Sequence, residues 1–318
     1  MNKLSKIALK YNLGKVLEYE LLNGSQNFVY KVVTDKDTYV IKEYTKDAIG
    51  NYYYLNKRKE QIRISKILKD KGIDTVIPLS YNNKYFLLFQ NKYYLIYNFN
   101  KEQNKKMEEI TLDNIRTLAK TQAKIHKLNI KSKLPCSYKH IEIDIDKQLK
   151  IAKKVNLKLY NKINDNKDII VDMVSKCNKY TKCVKNNLCI SHNDYKLLNI
   201  LWKDNEVILI DFDATGLANP TSCLCESAFT FSKDKNKINY ENYKTYLESY
   251  MTECKTELFL ESLYAAVNGK LQWLCYMFSK NHLKHNNYIE GTISMIDELV
   301  LYHSNILKFN KIYEDIKK

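Results

Sequence analysis

The densest concentration of reactive side chains lies between residues 190 and 213. It reads Ile190-Ser191-His192-Asn193-Asp194-Tyr195-Lys196-Leu197-Leu198-Asn199-Ile200-Leu201-Trp202, followed by Val207-Ile208-Leu209-Ile210-Asp211-Phe212-Asp213. Two short apolar runs, Ile200–Trp202 and Val207–Ile210, turn at Asp204-Asn205 and read as a β hairpin. A hairpin this short sets its outer ends side by side. Asn199 and Asp211 are then expected as neighbours, with Asp194 close by on the loop. Two carboxylates and an amide oxygen form a hard-oxygen set. Such a set suits Mg²⁺, which keeps several waters and takes one or two carboxylates plus phosphate oxygens.

The rest of the chain divides by periodicity. Residues 3–11 read as a short helix. Leu17–Leu22, Phe28–Val33 and Thr38–Tyr44 read as strands of an antiparallel meander, separated by Asn/Gly/Asp turns. Residues 52–71 read as a helix ending at Gly72. Tyr85–Phe89 and Tyr93–Phe99 flank a second turn. Beyond residue 100 the period becomes helical: Leu112, Ile115, Leu118, Ala119, Gln122 and Ile125 share one side of a helix over 111–130. Residues 141–187, 238–265 and 289–313 also read as helical. The fold class is therefore α+β and bilobed, an antiparallel-sheet lobe with one crossover helix over 1–99 and a helical lobe over 101–318.

The spacing His-x-Asp-x4-Asn, followed twelve residues later by Asp-Phe-x, resembles the catalytic and metal loops of protein-kinase-like phosphotransferases. Protein kinases continue into an activation segment. Here Asp213-Ala214-Thr215-Gly216-Leu217-Ala218-Asn219-Pro220 follows at once. His192-Asn193-Asp194, Ile210-Asp211-Phe212-Asp213, Asn219-Pro220 and Leu118-Ala119…Ile125-His126 are similar to the aminoglycoside phosphotransferase/choline kinase superfamily, with some similarity to its spore-coat kinase-like members. The resemblance covers roughly residues 15–230.

It implies ATP or GTP as phosphoryl donor, Mg²⁺ as cofactor and a small-molecule hydroxyl as acceptor. Asp194 is implied as the residue that orients and deprotonates that hydroxyl, and Asn199 and Asp211 as the Mg²⁺ ligands. Lys196, two residues after Asp194, is placed to neutralise charge on the transferred phosphate. In the sheet lobe, Ser25 sits in the turn where a phosphate-covering loop belongs. Lys42, after Tyr39-Val40-Ile41, stands where a phosphate-binding lysine is expected. Glu60, on the helix, is costly to bury unless paired, and Lys42 is its expected partner. Tyr97, Asn98 and Phe99 fall in a hinge near 96–100 whose backbone would bond adenine. The catalytic loop is 192–199, the metal hairpin 199–213, and helices 238–313 are expected to bind the acceptor. His192 and His126 read as packed structural histidines. Cys223 departs from the family, which carries Asp about three residues after Asn-Pro; Glu226 is the nearest acid.

Charge narrows the partners. The 318 residues carry a net +16, and 45% are hydrophobic, enough for a core. Only three of the 52 basic residues are arginines, Arg58, Arg63 and Arg116. Base readers favour Arg, so the scarcity of arginine makes the basicity largely compositional and a nucleic-acid partner the less favoured reading. Residues 205–268 reverse the trend, with ten acids against five lysines. In the resembled family this segment lies at the acceptor-binding face, and an acidic cleft focuses cations, so the resemblance implies a cationic acceptor, touched by Asp213 and Glu226. No run approaches a membrane span, no apolar leader follows Met1, and eight Cys lack a CxxC pair. Cytoplasmic residence with reduced thiols is the expectation. The composition also allows a rival reading, a kinase-like structural protein of the spore coat with little catalysis.

Overall fold

The computed structural model describes residues 2–22, 27–44, 52–279, 283 and 285–318. The chain forms two compact units. The first comprises 1–103 with 201–203 and 208–213, the second 104–200 with 204–207 and 214–318.

The first unit opens with α1 (Lys3–Lys10), then β1 (Val16–Leu22), β2 (Phe28–Thr34), β3 (Thr38–Tyr44), α2 (Tyr52–Asp70), β4 (Leu87–Phe89) and β5 (Lys92–Asn98). The five strands form one antiparallel sheet in the order β1-β2-β3-β5-β4. Side chains alternate across β3, and the alternation positions the chemistry. Ile41 joins Val32, Tyr94 and Ile96 in a core shared with Leu4 and Ile7 of α1. Tyr44, two residues on from Lys42, instead packs with Leu95 and Ile62 of α2. Glu43 is 1% exposed and bound by Lys3 and Lys92. Burial alone would raise its pKa, but the two ammonium groups outweigh that and hold it below the ordinary carboxylate value. The helix α2 stops at Gly72, whose φ of +79° an L side chain rarely adopts.

The second unit contains α3 (Leu112–Lys127), α4 (Ile145–Val155), α5 (Leu157–Asp165), α6 (Lys167–Val184) and β6 (Cys189–Ser191). The hairpin strands β7 (Ile200–Lys203) and β8 (Glu206–Leu209) follow, then β9 (Gly216–Ala218), α7 (Pro220–Ser232) and the short pair β10 (Lys233–Asp234) and β11 (Lys237–Ile238). The chain closes with α8 (Tyr240–Met251), α9 (Phe259–Ala265), α10 (Asn268–Ser279) and α11 (Asn286–Lys317). The mixed α+β architecture expected from the sequence is the one observed.

Three local features go beyond what was read from the sequence. The 141–187 segment is three helices, because Asn156 leaves helical geometry and caps the next helix through Leu159 N, and Asn166 interrupts it again. The hairpin at 200–209 is not the only β pairing after residue 100, since β6 pairs with β9 and β10 with β11. The helix α7 went unread because its apolar residues surround it, leaving no amphipathic stripe. It starts at Asn219, whose Oδ1 accepts from Ser222 N at 2.9 Å, with Pro220 in the first turn. All eight cysteines are free thiols. No described helix is long and apolar enough to cross a membrane.

Candidate active site

In the first unit the site is built around Lys42. Its Nζ lies 2.8 Å from Asp211 Oδ1 and 2.8 Å from Asp213 Oδ2. Burial alone would lower the lysine pKa. The carboxylates of Asp213 and Asp211 outweigh it and hold the ammonium above its usual value. Asp211 stands two residues beyond β8 with φ +58°, a left-handed conformation strained for a non-glycine residue and characteristic of functional sites. The phenol of Tyr97 is raised by its burial, with Lys42 opposing. Beyond its pairing with β4, β5 is tied by its backbone: Ile96 O accepts from Leu79 N at 2.7 Å, and Phe99 N donates to Thr38 O at 3.0 Å.

The structure does not bring Glu60 to Lys42. Glu60 lies at the edge of the buried arc of α2, and Arg63, one turn further toward solvent, takes its carboxylate at 2.7 and 2.8 Å. Asp213 takes the expected place of Glu60 beside the lysine. It was expected on the acceptor side but belongs to the first unit, where it accepts from Lys42, Arg58, Tyr44 and Asn27. Ser25 lies outside the described residues.

In the second unit the loop from His192 to Asn199 is held from several sides. Asn199 is 7% exposed, and its amide nitrogen donates to Asp194 Oδ2 at 2.7 Å and to Asp194 O at 2.9 Å. That leaves the amide oxygen with no donor among the described residues. Lys196 Nζ lies 2.8 Å from Asp194 Oδ1. Asn104 donates to the carbonyls of Leu197, Leu198 and Ile200 at 3.0, 3.2 and 2.7 Å. Tyr195 Oη donates to Leu118 O. Asn193 adopts φ +58°, which Asn tolerates better than most residues, and donates to Ser137 Oγ at 2.7 Å. A Cβ on the adjacent Gly216 would sit 2.8 Å from Ser137 Oγ, so this crossing needs glycine. His192 is buried, as expected, and so is His126, which contacts Tyr250 Oη at 2.7 Å and Ser191 Oγ at 3.3 Å. Burial drives the His126 pKa down to about 3, so it bonds as a neutral ring.

Asp194 and Lys196 line a cavity of ≈ 300 Å³ that is also lined by Glu226 of α7, Lys233, Lys270 of α10 and Glu298 of α11. Glu298 is bound by Lys233 and, at 3.0 Å, by Lys270. Burial would raise its pKa, but the two lysines hold it low. Glu226 makes no side-chain hydrogen bond or ion pair among the described residues. Burial lifts its pKa to about 7, with Asp194 and Glu298 adding to the rise and Lys270 opposing it. Of the ten acids in 205–268, only Glu226 lines this cavity, and three lysines line it as well. The charge of the segment therefore does not carry over to the cavity, because most of its acids lie elsewhere. Cys223 also faces the cavity as a neutral thiol, its pKa pushed up to about 12 by burial.

The Glu226 carboxyl has a measurable consequence for stability. Its folded pKa lies above its unfolded one, so the native state holds more protons between pH 4.5 and 7. The associated stabilisation is complete below that window and is lost as pH rises through 7, by about 3 kcal/mol at most. Urea melts from pH 4.5 to 8 should show this decline. In Glu226→Gln the decline should shrink, and an unchanged slope would count against the assignment.

The chain belongs to the phosphotransferase enzyme family, which it matches over residues 18–222. Among solved structures it is similar to a spectinomycin phosphotransferase in complex with ADP and spectinomycin, at 14% identity over 93% of this chain and 96% of that one, TM-score 0.68. A microcompartment-associated aminopropanol kinase aligns at 14% identity over 96% and 98%, TM-score 0.67. Choline kinase LicA from Streptococcus pneumoniae aligns at 14% identity over 93% and 99%, TM-score 0.61. No curated protein sequence matches the chain.

Proposed function

We propose that the protein is an ATP- and Mg²⁺-dependent O-phosphotransferase acting on a small hydroxyl-bearing amine. The observation that carries this reading is Asp194 on the cavity wall, its carboxylate oriented by the Asn199 amide and paired with Lys196. A carboxylate fixed in this way can accept the proton of an acceptor hydroxyl as the phosphoryl group arrives. Lys196 can then offset charge on that group. Lys42 binds nucleotide phosphates, and the backbone of Tyr97, Asn98 and Phe99 receives the base. The ADP held by the spectinomycin phosphotransferase supports the nucleotide assignment.

Asn199 and Asp211 are the proposed ligands of the divalent cation, each a hard-oxygen donor taken by itself: Asn199 Oδ1 takes no donor among the described residues, and Asp211 is a carboxylate. No described cluster of three His, Cys, Asp or Glu could hold a metal alone; a bound Mg²⁺ would complete its shell with water and phosphate oxygens. When bound, the metal would neutralise charge on the phosphates.

The acceptor follows from the cavity. A volume of ≈ 300 Å³ is at the small end of ligand sites and favours a compact amino alcohol over a multi-ring aminoglycoside. Glu226 is the acid there without a lysine partner, so it is the group assigned to the acceptor's amine. The reading predicts a thermal shift. MgATP at a hundredfold its dissociation constant should stabilise the protein by about 2.7 kcal/mol. Absence of any shift would remove the nucleotide from the account and favour a structural protein.

A further inference from the structure

The helix α2 does something other than supply an acid to Lys42. It sends Arg58 and Gln61 to Asp213. Arg58 Nη1 and Gln61 Nε2 both donate to Asp213 O, the latter at 2.9 Å. The same guanidinium lies 3.2 Å from Asp213 Oδ1 and donates to Gln61 Oε1 at 2.9 Å. Tyr44 Oη donates to Asp213 Oδ1 at 3.0 Å, and its ring lies within 5.4 Å of the Lys42 ammonium and 5.6 Å of the Arg58 guanidinium. Asp213 is thus held at its carbonyl, at both carboxylate oxygens and through a shared aromatic neighbour.

Asp211 stands two residues away in a strained conformation, with its Oδ1 already 2.8 Å from Lys42. Asp211 Oδ1 also accepts from Asp213 N at 3.4 Å, a local bond of the kind that lets Asp adopt the left-handed region. The geometry of Asp211 is therefore coupled to the placement of Asp213, whose carbonyl is fixed by two side chains of a long helix. The Asp213 carboxylate also gives Lys42 a second partner, one that stays when Asp211 turns to another cation.

We propose that Arg58 and Gln61 are positioning residues that hold Asp213, and through it Asp211, in the orientation that receives the divalent cation. This rests on the phosphotransferase reading above. The test is a Mg²⁺ titration of nucleotide binding by the full chain, with a fluorescent ATP analogue as probe. Arg58→Gln should raise the Mg²⁺ midpoint roughly tenfold, the scale of one lost charge-assisted hydrogen bond. Metal-free binding of the analogue should change less than twofold.

The direction is diagnostic. If Arg58 acted only as a positive charge, its removal would favour the cation and lower the midpoint. A lower or unchanged midpoint overturns the proposal. Arg58→Lys keeps the charge but loses the planar fork, so it should also raise the midpoint. Gln61→Ala, neutral and milder, should raise it about threefold. It decides the matter if the arginine variants fail to fold, since an unmoved midpoint there overturns the proposal. A wild-type protein that binds no nucleotide with Mg²⁺ would instead remove the phosphotransferase reading and this proposal with it.

Discussion

Asp194→Asn is expected to lower turnover about a thousandfold while leaving the MgATP-induced thermal shift in place. The loss is large because proton acceptance by a positioned carboxylate contributes about 10²–10⁴ to rate, and an amide cannot take the proton. The substitution is nearly isosteric, so Asn199 can still donate to the side-chain oxygen that remains. What is lost structurally is the pair with Lys196. Those side chains are 45% and 35% exposed, and an exposed pair is worth about 1 kcal/mol or less. The variant should therefore fold and bind nucleotide as the wild type does. Turnover retained to within tenfold would remove Asp194 from the proton-accepting role.

Lys42→Met is expected to act on stability and binding together. The lysine is buried and is the ammonium partner shared by Asp211 and Asp213. Removing one member of a buried ion pair costs about 3–5 kcal/mol. Here the Asp211 side chain is 40% exposed and Asp213 keeps Arg58, so about 2–4 kcal/mol is the expected loss. The MgATP shift should vanish as well. Urea melts of Lys42→Met, Asp213→Asn and the double variant separate the causes. The double variant should lose less than the sum of the two, since each single change strands a charge that the double does not. Strict additivity would show that the two side chains do not act as a pair.

Much of this site was legible from the order of residues. The strand carrying Lys42 announces itself because a charged residue follows three apolar or aromatic ones, and the alternation of β3 then decides which face it shares with Tyr44. The loop from His192 to Asn199 is legible because its polar residues sit between apolar strands at a fixed spacing. The partner of Lys42 was not legible. Spacing along α2 brought Glu60 close to the buried arc, but whether an edge residue turns inward depends on competitors, and Arg63 was one. Arg58 carried a usable signal. In a chain that otherwise spends lysine, an arginine on an amphipathic helix marks a place where a planar fork is needed. Glu226, Lys270 and Glu298 could not be joined from the sequence, because they come together only through the packing of three helices. The same limit misled the charge argument: a segment's net charge says little about a cavity when its acids point elsewhere.

The central claim is phosphoryl transfer to a small hydroxyl-bearing amine. Its most direct test is product formation by the full chain with MgATP and a panel of ethanolamine, choline, aminopropanol, homoserine, aminoglycosides and neutral sugars, with phosphate esters detected by ³¹P NMR. The account predicts an ester with one or more of the amine-bearing acceptors, favouring compact ones, and its loss in Asp194→Asn. An ester formed only with neutral sugars, or none from a protein that binds MgATP, would contradict it.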